Sequence, residues 1–229
     1  MRVREILPLR KGKTISEIKA KARSEFALAT LRARNRLYVN SRGIPLEYEL
    51  LGNHYSSLET GSPSFKPHLD AALFHARSSG VKTRWLDIGP GLPENFMPYF
   101  EKIDSNAELI ELHTLAPEQI LPRTKEDNYS KWKKRLTHHV GMLETYNTRK
   151  LGEFNIIVSS ASAFMHSKYP VENLYKTCEL LAPMGSAYIH RGGDKFIYDD
   201  VKKLLARKYN GKYEFRTSGN FIVVTRISK

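Results

Sequence analysis

The sequence predicts an α/β domain, a doubly wound and mostly parallel seven-stranded sheet with an antiparallel last strand, behind an N-terminal helical extension. From Lys82 onward, short apolar runs alternate with helix-length segments, which is the pattern of a parallel sheet with helices on both faces. The last two runs, near 213–217 and 220–227, are joined only by Ser218-Gly219-Asn220. That link is too short for a crossover helix and suits a hairpin, so the final strand should run against its neighbours. Ahead of residue 65 the pattern is helical and strongly basic, which sets 1–64 apart as the extension and leaves 65–229 as the main domain.

After an irregular start, Thr14 or Ser16 can cap a helix, with Glu17 in its first turn. Ile15, Ile18, Ala22, Phe26, Ala29 and Ala33 recur every three or four residues, while Lys19, Lys21, Arg23, Arg32, Arg34 and Arg36 stay off that stripe. This basic amphipathic helix should end near Asn40 to Gly43, before Pro45. Packing on the following domain is the commoner use of such a stripe, and a membrane-surface role is the alternative. A second helix is expected over 66–78. Strands are then expected near 83–88, 107–112, 136–142, 154–159 and 186–190. Helices fit between them near 94–103, 117–134 with a break at Pro122, 171–182 and 195–208.

At 229 residues with 41% hydrophobic and 27% charged residues, the chain can bury a sizeable core. Its longest apolar runs fall far short of the roughly 18 residues of a membrane span. The start of the sequence has no apolar h-region, and Glu5, Glu17 and Glu25 argue against an acid-poor organelle presequence. One cysteine, Cys178, forms neither an internal disulfide nor a multi-cysteine metal site, so the expected setting is reducing and cytoplasmic. The net charge is +13 and is concentrated at the ends. Residues 1–36 carry eleven Lys/Arg against three Glu, and residues 191–229 carry ten against four acids. Brought together, the two ends would suit RNA or another polyanion; the plainer reading is solvation of helix faces.

The segment Trp85-Leu86-Asp87-Ile88-Gly89-Pro90-Gly91 is an apolar strand running into an acid and two glycines, with Pro93 suited to the first helical position. In a doubly wound sheet this turn lies where ligands bind. A dinucleotide loop needs a small residue three positions after Gly91, but Glu94 stands there and its carboxylate would repel a pyrophosphate. A P-loop is also absent. The run resembles the first motif of the class I S-adenosylmethionine-dependent methyltransferases, and the resemblance continues in order over about residues 65–228. It implies a Rossmann-like methyltransferase fold, with S-adenosyl-L-methionine as the cofactor. Gly89, Pro90 and Gly91 would form the turn under its methionine part, and Asp87 would help bind its amino group.

Further motifs extend the resemblance. Glu108-Leu109-Ile110-Glu111-Leu112 leads into Thr114-Leu115-Ala116-Pro117-Glu118, similar to the family's acid-then-Ser-Pro-Glu stretch. A carboxylate at the end of the second strand would accept from both ribose hydroxyls. Glu111, 24 residues after Asp87 and followed by Leu112, is the candidate. His138-His139-Val140-Gly141-Met142-Leu143 resembles the stretch whose acid meets adenine, with Met142 in the acid's place, so Met142 and Leu143 would border the ring. His138 and His139 point to opposite faces of a strand, which disfavours their sharing a metal ion. After the fourth strand, Ser159 and Ser160 lie where the family faces the transferred methyl group, and His166 is a candidate general base. Cys178 falls inside a helix and reads as a structural thiol. Leu180-Leu181-Ala182-Pro183-Met184-Gly185 resembles the family's Leu-Leu-x-Pro-Gly-Gly turn. The implied activity is methyl transfer, with RNA or another polyanion as acceptor. A catalytically inactive binding or assembly module and a small-molecule methyltransferase are the alternatives.

Overall fold

The computed structural model describes residues 56–89, 99–116, 135–159, 170–190, 209 and 211–227. The expected basic helix, from a cap at Thr14 or Ser16 to near Asn40–Gly43, and the expected helices over 117–134 and 195–208 lie outside them. All described residues belong to the second of two compact units, Glu47–Lys229. Its elements in chain order are α1 (Ser56–Gly61), α2 (Phe65–Ser79), β1 (Thr83–Ile88), β2 (Ile110–Ala116), β3 (Leu136–Val140), β4 (Phe154–Ser159), α3 (Pro170–Glu179), β5 (Leu181–His190), β6 (Tyr213–Ser218) and β7 (Phe221–Arg226).

The seven strands form one sheet in the order β3-β2-β1-β4-β5-β7-β6. The β1–β2, β1–β4, β2–β3 and β4–β5 pairs are parallel, and β7 is antiparallel to both β5 and β6, as the short link before it requires. Ser218 and Phe221 pair across a two-residue turn. Gly219 takes a positive φ of 59° there, and a Cβ on it would lie 1.9 Å from the Gly61 carbonyl oxygen. The turn therefore docks on the end of α1, with the Asn220 N–H donating to that oxygen at 2.9 Å.

Phe65, Leu69, Leu73 and Ala76 form the buried stripe of α2, which stops at Gly80 in the left-handed conformation with its N–H bonded to the Ala76 carbonyl. The stripe packs on the sheet through aromatic edges. Phe65 meets Tyr188 at 5.0 Å and Trp85 at 5.6 Å, and Trp85 meets Phe100 at 5.0 Å, all edge-to-face. Leu58 of α1 is fully buried in the same core. β1 and β4 are buried along nearly their whole length, as central parallel strands are, whereas β6 alternates and carries exposed Glu214 and Arg216 at the sheet's edge. No helix among the described residues is long and apolar enough to cross a membrane.

Two elements differ from expectation. Residues Asp104–Leu109 form a 3-10 helix, because the turn-forming Asp104-Ser105-Asn106 stretch bonds back on itself, with the Asn106 N–H donating to the Ile103 carbonyl. β2 therefore starts at Ile110 and runs on through His113 and Thr114, past the expected end at 112. β5 starts at Leu181 instead of 186, with a register shift against β4 between Phe154 and Ile156. Met184 sits at that irregularity with a φ of 62°, a conformation natural to the glycine that the resemblance places there.

Candidate functional site

The strand order reverses at β1. The chain goes outward from β1 to β2 and β3 on one side, then returns to place β4 and β5 on the other. A crevice opens at the carboxyl ends of strands flanking such a switch point, and ligands of open α/β sheets bind there. Asp87, next to last in β1, lies level with Thr114 of β2 and Val158 of β4 and is fully buried. Two residues on, Gly89 is buried with a φ of 72°, and its N–H donates to the Leu115 carbonyl at 2.9 Å. A side chain is disfavoured in that conformation, which keeps the turn bare and its backbone open to close approach. Ser159 ends β4 at 2% exposure, and its Oγ has no hydrogen-bond partner among the described residues. A buried hydroxyl left without a partner costs free energy unless something fills the role.

Asp87, Gly89 and Ser159 thus lie at the carboxyl ends of the two strands, β1 and β4, that flank the switch point. Pro90, Gly91, Ser160 and His166 lie outside the described residues. Glu111 and Leu112 lie along β2, short of its carboxyl end. Glu111 is the second residue of β2, level with Arg84 and three residues, roughly 10 Å along the strand, before Thr114. Leu112 is fully buried in the core beneath α2. Both were expected at the strand's end because the 3-10 turn ahead of β2 shifts the whole strand toward the C-terminus. Level with Asp87 is a hydrogen-bonded pair, in which Thr114 Oγ1 and His138 Nδ1 are 2.8 Å apart. Thr114 and His138 became legible as a pair only with the β2–β3 register, which places them opposite each other.

β3 ends at Gly141, whose N–H donates to the Ala116 carbonyl at 3.0 Å, and Met142 opens a tight turn. The Met142 carbonyl accepts from the N–H groups of Thr145 and Tyr146 at 3.0 and 2.8 Å. Lys176 of α3 fastens this turn from below, its ammonium donating to the carbonyls of Leu143, Glu144 and Tyr146. Asn173 Nδ2 adds a bond of 2.9 Å to Glu144 Oε1. Leu143 is buried and Met142 half-buried, so Met142 is the side chain of the two that the turn leaves partly uncovered. No group of three or more metal-ligating side chains occurs among the described residues.

A parallel sheet of order 3-2-1-4-5-7-6, reversed only at its last strand and carrying an acid followed by a left-handed glycine after its first, decides the architecture. The fold is that of the class I S-adenosylmethionine-dependent methyltransferases. No protein-family model and no curated protein matches the chain. Solved structures with this methyltransferase fold do. A protein of Methanococcus maripaludis assigned as an S-adenosyl-L-methionine-dependent methyltransferase matches 76% of this chain and 90% of its own, at 16% identity and a TM-score of 0.42. The MycE methyltransferase of the mycinamycin biosynthetic pathway matches 71% of this chain and 48% of its own, at 15% identity and a TM-score of 0.47. An O-methyltransferase family protein from Burkholderia thailandensis matches 72% and 56%, at 12% identity and a TM-score of 0.45. This chain therefore spans about half the length of the latter two, and at such identities the likeness concerns the fold alone.

The described part of the site fits one end of the implied cofactor. A buried carboxylate suits the cationic amino group of a methionine moiety, and the bare Gly89 turn admits it. Across from it, Thr114 of β2 and His138 of β3 bring a hydroxyl and an imidazole.

Proposed function

We propose that this chain binds S-adenosylmethionine across the β1–β4 switch point and transfers its methyl group to an acceptor. The observation that carries the reading is Asp87, a fully buried carboxylate two residues ahead of a left-handed glycine at that switch point. When bound, S-adenosylmethionine supplies an electrophilic methyl group on a sulfonium centre. Asp87 would hold the cofactor's ammonium group, and the turn from Gly89 through Pro90 and Gly91 would pass beneath its methionine part. Met142 and the backbone of Leu143 would border the adenine. Ser159 brings a buried hydroxyl without a partner among the described residues, and Ser160 and His166 follow it in sequence toward the acceptor, His166 as general base. Methyl transfer asks chiefly for alignment of nucleophile, methyl and sulfur, so a rigid strand-end scaffold does most of what the reaction needs.

The acceptor class we propose is RNA or another polyanion, supported by the surplus of Lys/Arg in residues 1–36 and 191–229. A reducing, cytoplasmic setting accords with a single cysteine, Cys178, whose thiol is buried. The test is transfer of labelled methyl from S-adenosylmethionine to a panel of RNA, protein and small-molecule acceptors, paired with RNA binding across salt concentrations. RNA labelling and a steep fall of affinity with salt support the reading; labelling of a metabolite with salt-independent binding replaces it with a small-molecule methyltransferase. Met142, standing where the resemblance places an acid, favours one second reading, a methyltransferase-like binding or assembly module without transfer. Cofactor affinity with no labelled acceptor would support that module.

A further inference from the structure

On the face of the sheet opposite α2, five side chains from three strands and the turn after β3 form a single chain of hydrogen bonds. Arg84 of β1 donates from Nε to Glu111 Oε1 at 3.2 Å. It also donates to the carbonyls of Glu153 and Leu151 at 2.7 and 2.9 Å, and its guanidinium lies 4.6 Å over the Phe154 ring. His113 Nε2 is 2.5 Å from Glu111 Oε1, His113 Nδ1 is 2.9 Å from His139 Nε2, and His139 Nδ1 is 3.2 Å from the Tyr146 hydroxyl. The two imidazole planes are within 5° of each other with centroids 5.2 Å apart, and the 2.9 Å nitrogen contact places them edge to edge.

The polarity of this chain follows from its anchor. Burial acts against the charge on Glu111, but the hydrogen bonds from His113 and Arg84 and the Arg84 charge outweigh it and hold the carboxyl below its ordinary range. As a carboxylate it only accepts, so at 2.5 Å His113 carries its proton on Nε2 toward Glu111, and the longer 3.4 Å approach of Arg84 Nη2 to that nitrogen is then a donor-to-donor contact, not a bond. Neutral His113 then offers a bare Nδ1, which requires His139 to donate from Nε2. Neutral His139 in turn offers a bare Nδ1, and Tyr146 must donate to it. Adding one proton to either ring breaks this order. His113 protonated at Nδ1 forces His139 to accept at Nε2 and hold its proton on Nδ1; His139 protonated directly also has an Nδ1–H. In both cases Tyr146 must turn from donor to acceptor. A second proton would set two N–H groups against each other across 2.9 Å.

We propose that His113 and His139 act as a one-proton unit that sets the hydrogen-bonding role of Tyr146 and, through it, the turn after β3. Tyr146 is the mechanical link. A Cβ on Gly141 would lie 2.8 Å from the Tyr146 ring, so the ring rests directly on the backbone that ends β3, and the Tyr146 carbonyl is held by Lys176 at 3.1 Å. The charged and titratable groups facing the unit among the described residues are Arg84 from β1, Glu111 from β2, His138 from β3 and Tyr146 itself, with Lys176 of α3 behind the turn. Burial, foremost, together with the Arg84 charge, moves both imidazoles below their ordinary range, and the neighbouring histidines add to this at His139. The unit is thus neutral near pH 7 and responds to acidification.

Imidazole nitrogen NMR on the full chain tests this. At pH 7.5 both rings should report the Nε2–H tautomer, and on acidification they should take up one proton between them with a midpoint below 6.5. In Tyr146→Phe, which removes the acceptor for the reversed His139 N–H, the midpoint should fall by about one further unit, a tenfold change. An Nδ1–H tautomer in either ring at pH 7.5, or two independent protonations, overturns the unit. The effect on the site rests on the proposed cofactor reading and is measured separately. S-adenosylmethionine affinity should weaken severalfold between pH 7.5 and 5.5 in the wild type and follow the shifted midpoint in Tyr146→Phe. Affinity that ignores a correctly observed titration overturns the coupling to the turn, whereas no binding at any pH counts against the cofactor reading and leaves the NMR result standing.

Discussion

The molecule contains two polar clusters of opposite design. On one face, Arg84, Glu111, His113, His139 and Tyr146 match donors to acceptors in an unbroken order. At the carboxyl ends of β1 and β4, by contrast, Ser159 holds a buried hydroxyl with no partner among the described residues, beside a glycine turn in the left-handed conformation. A closed network stabilises and orients the strands it crosses, whereas a buried hydroxyl without a partner among the described residues suits a ligand. Both clusters are rich in chemistry-bearing side chains, and what distinguishes them is whether those side chains are linked across strands or gathered at strand ends.

Breaking the closed cluster should cost most. Arg84→Ala removes three classes of contact at once, to a carboxylate, to two backbone carbonyls and to the Phe154 ring. Denaturant unfolding should show a loss of about 3 kcal/mol. A loss below about 0.5 kcal/mol would mean the network is a solvated surface arrangement.

Acid should act on the same cluster more gently. The folded state keeps His113 and His139 below the ordinary imidazole range, and burial, with the Arg216 charge, holds His68 at about 4 against a slight opposing pull from the Met184 carbonyl. A lowered folded-state value means the unfolded chain binds more protons, so stability is fully present above pH 6.5 and declines as the pH falls through and below it. The decline between pH 6.5 and 4 should be on the order of 2 kcal/mol. The part that survives in His68→Phe belongs to the His113–His139 pair. A flat profile over this range would contradict neutral histidines in the fold.

How much of this was legible in the sequence follows from the same contrast. The open cluster was readable at β1 because Leu86-Asp87-Ile88-Gly89 is contiguous, and an apolar run ending in an acid and a glycine announces a strand end by itself. The antiparallel β7 was readable because the link before it is too short for anything but a hairpin. The closed cluster was not readable, since it depends on which residue of β2 faces which residue of β3, and register is a tertiary property. Glu111 was misplaced for a related reason. β2 is buried on both faces and therefore lacks alternation, and His113 and Thr114 in its middle disguise its continuation past Leu112.

Smaller substitutions sharpen the comparison. Met184 has an exposed side chain and a φ of 62°, so Met184→Gly gives up little burial and removes left-handed strain. It should raise the unfolding free energy by about 1 kcal/mol; a comparable loss would show that the conformation is unstrained. Ser159→Ala should be the smallest of all for stability, within about 0.5 kcal/mol, because its hydroxyl has no described partner to lose. The same variant should bind cofactor or acceptor measurably less well. A large loss of stability would place Ser159 in a structural network instead.

The most direct test of the account is calorimetric titration of S-adenosylmethionine into the wild type, Asp87→Ala and Glu111→Gln at pH 7.5. Asp87 lies at the switch point and Glu111 roughly 16 Å from the carboxyl end of β2, five residues along it. The account predicts micromolar binding in the wild type, a loss of about a hundredfold or more in Asp87→Ala, and affinity within a few-fold of wild type in Glu111→Gln. No binding by a folded wild type, or an equal loss in both variants, would contradict it.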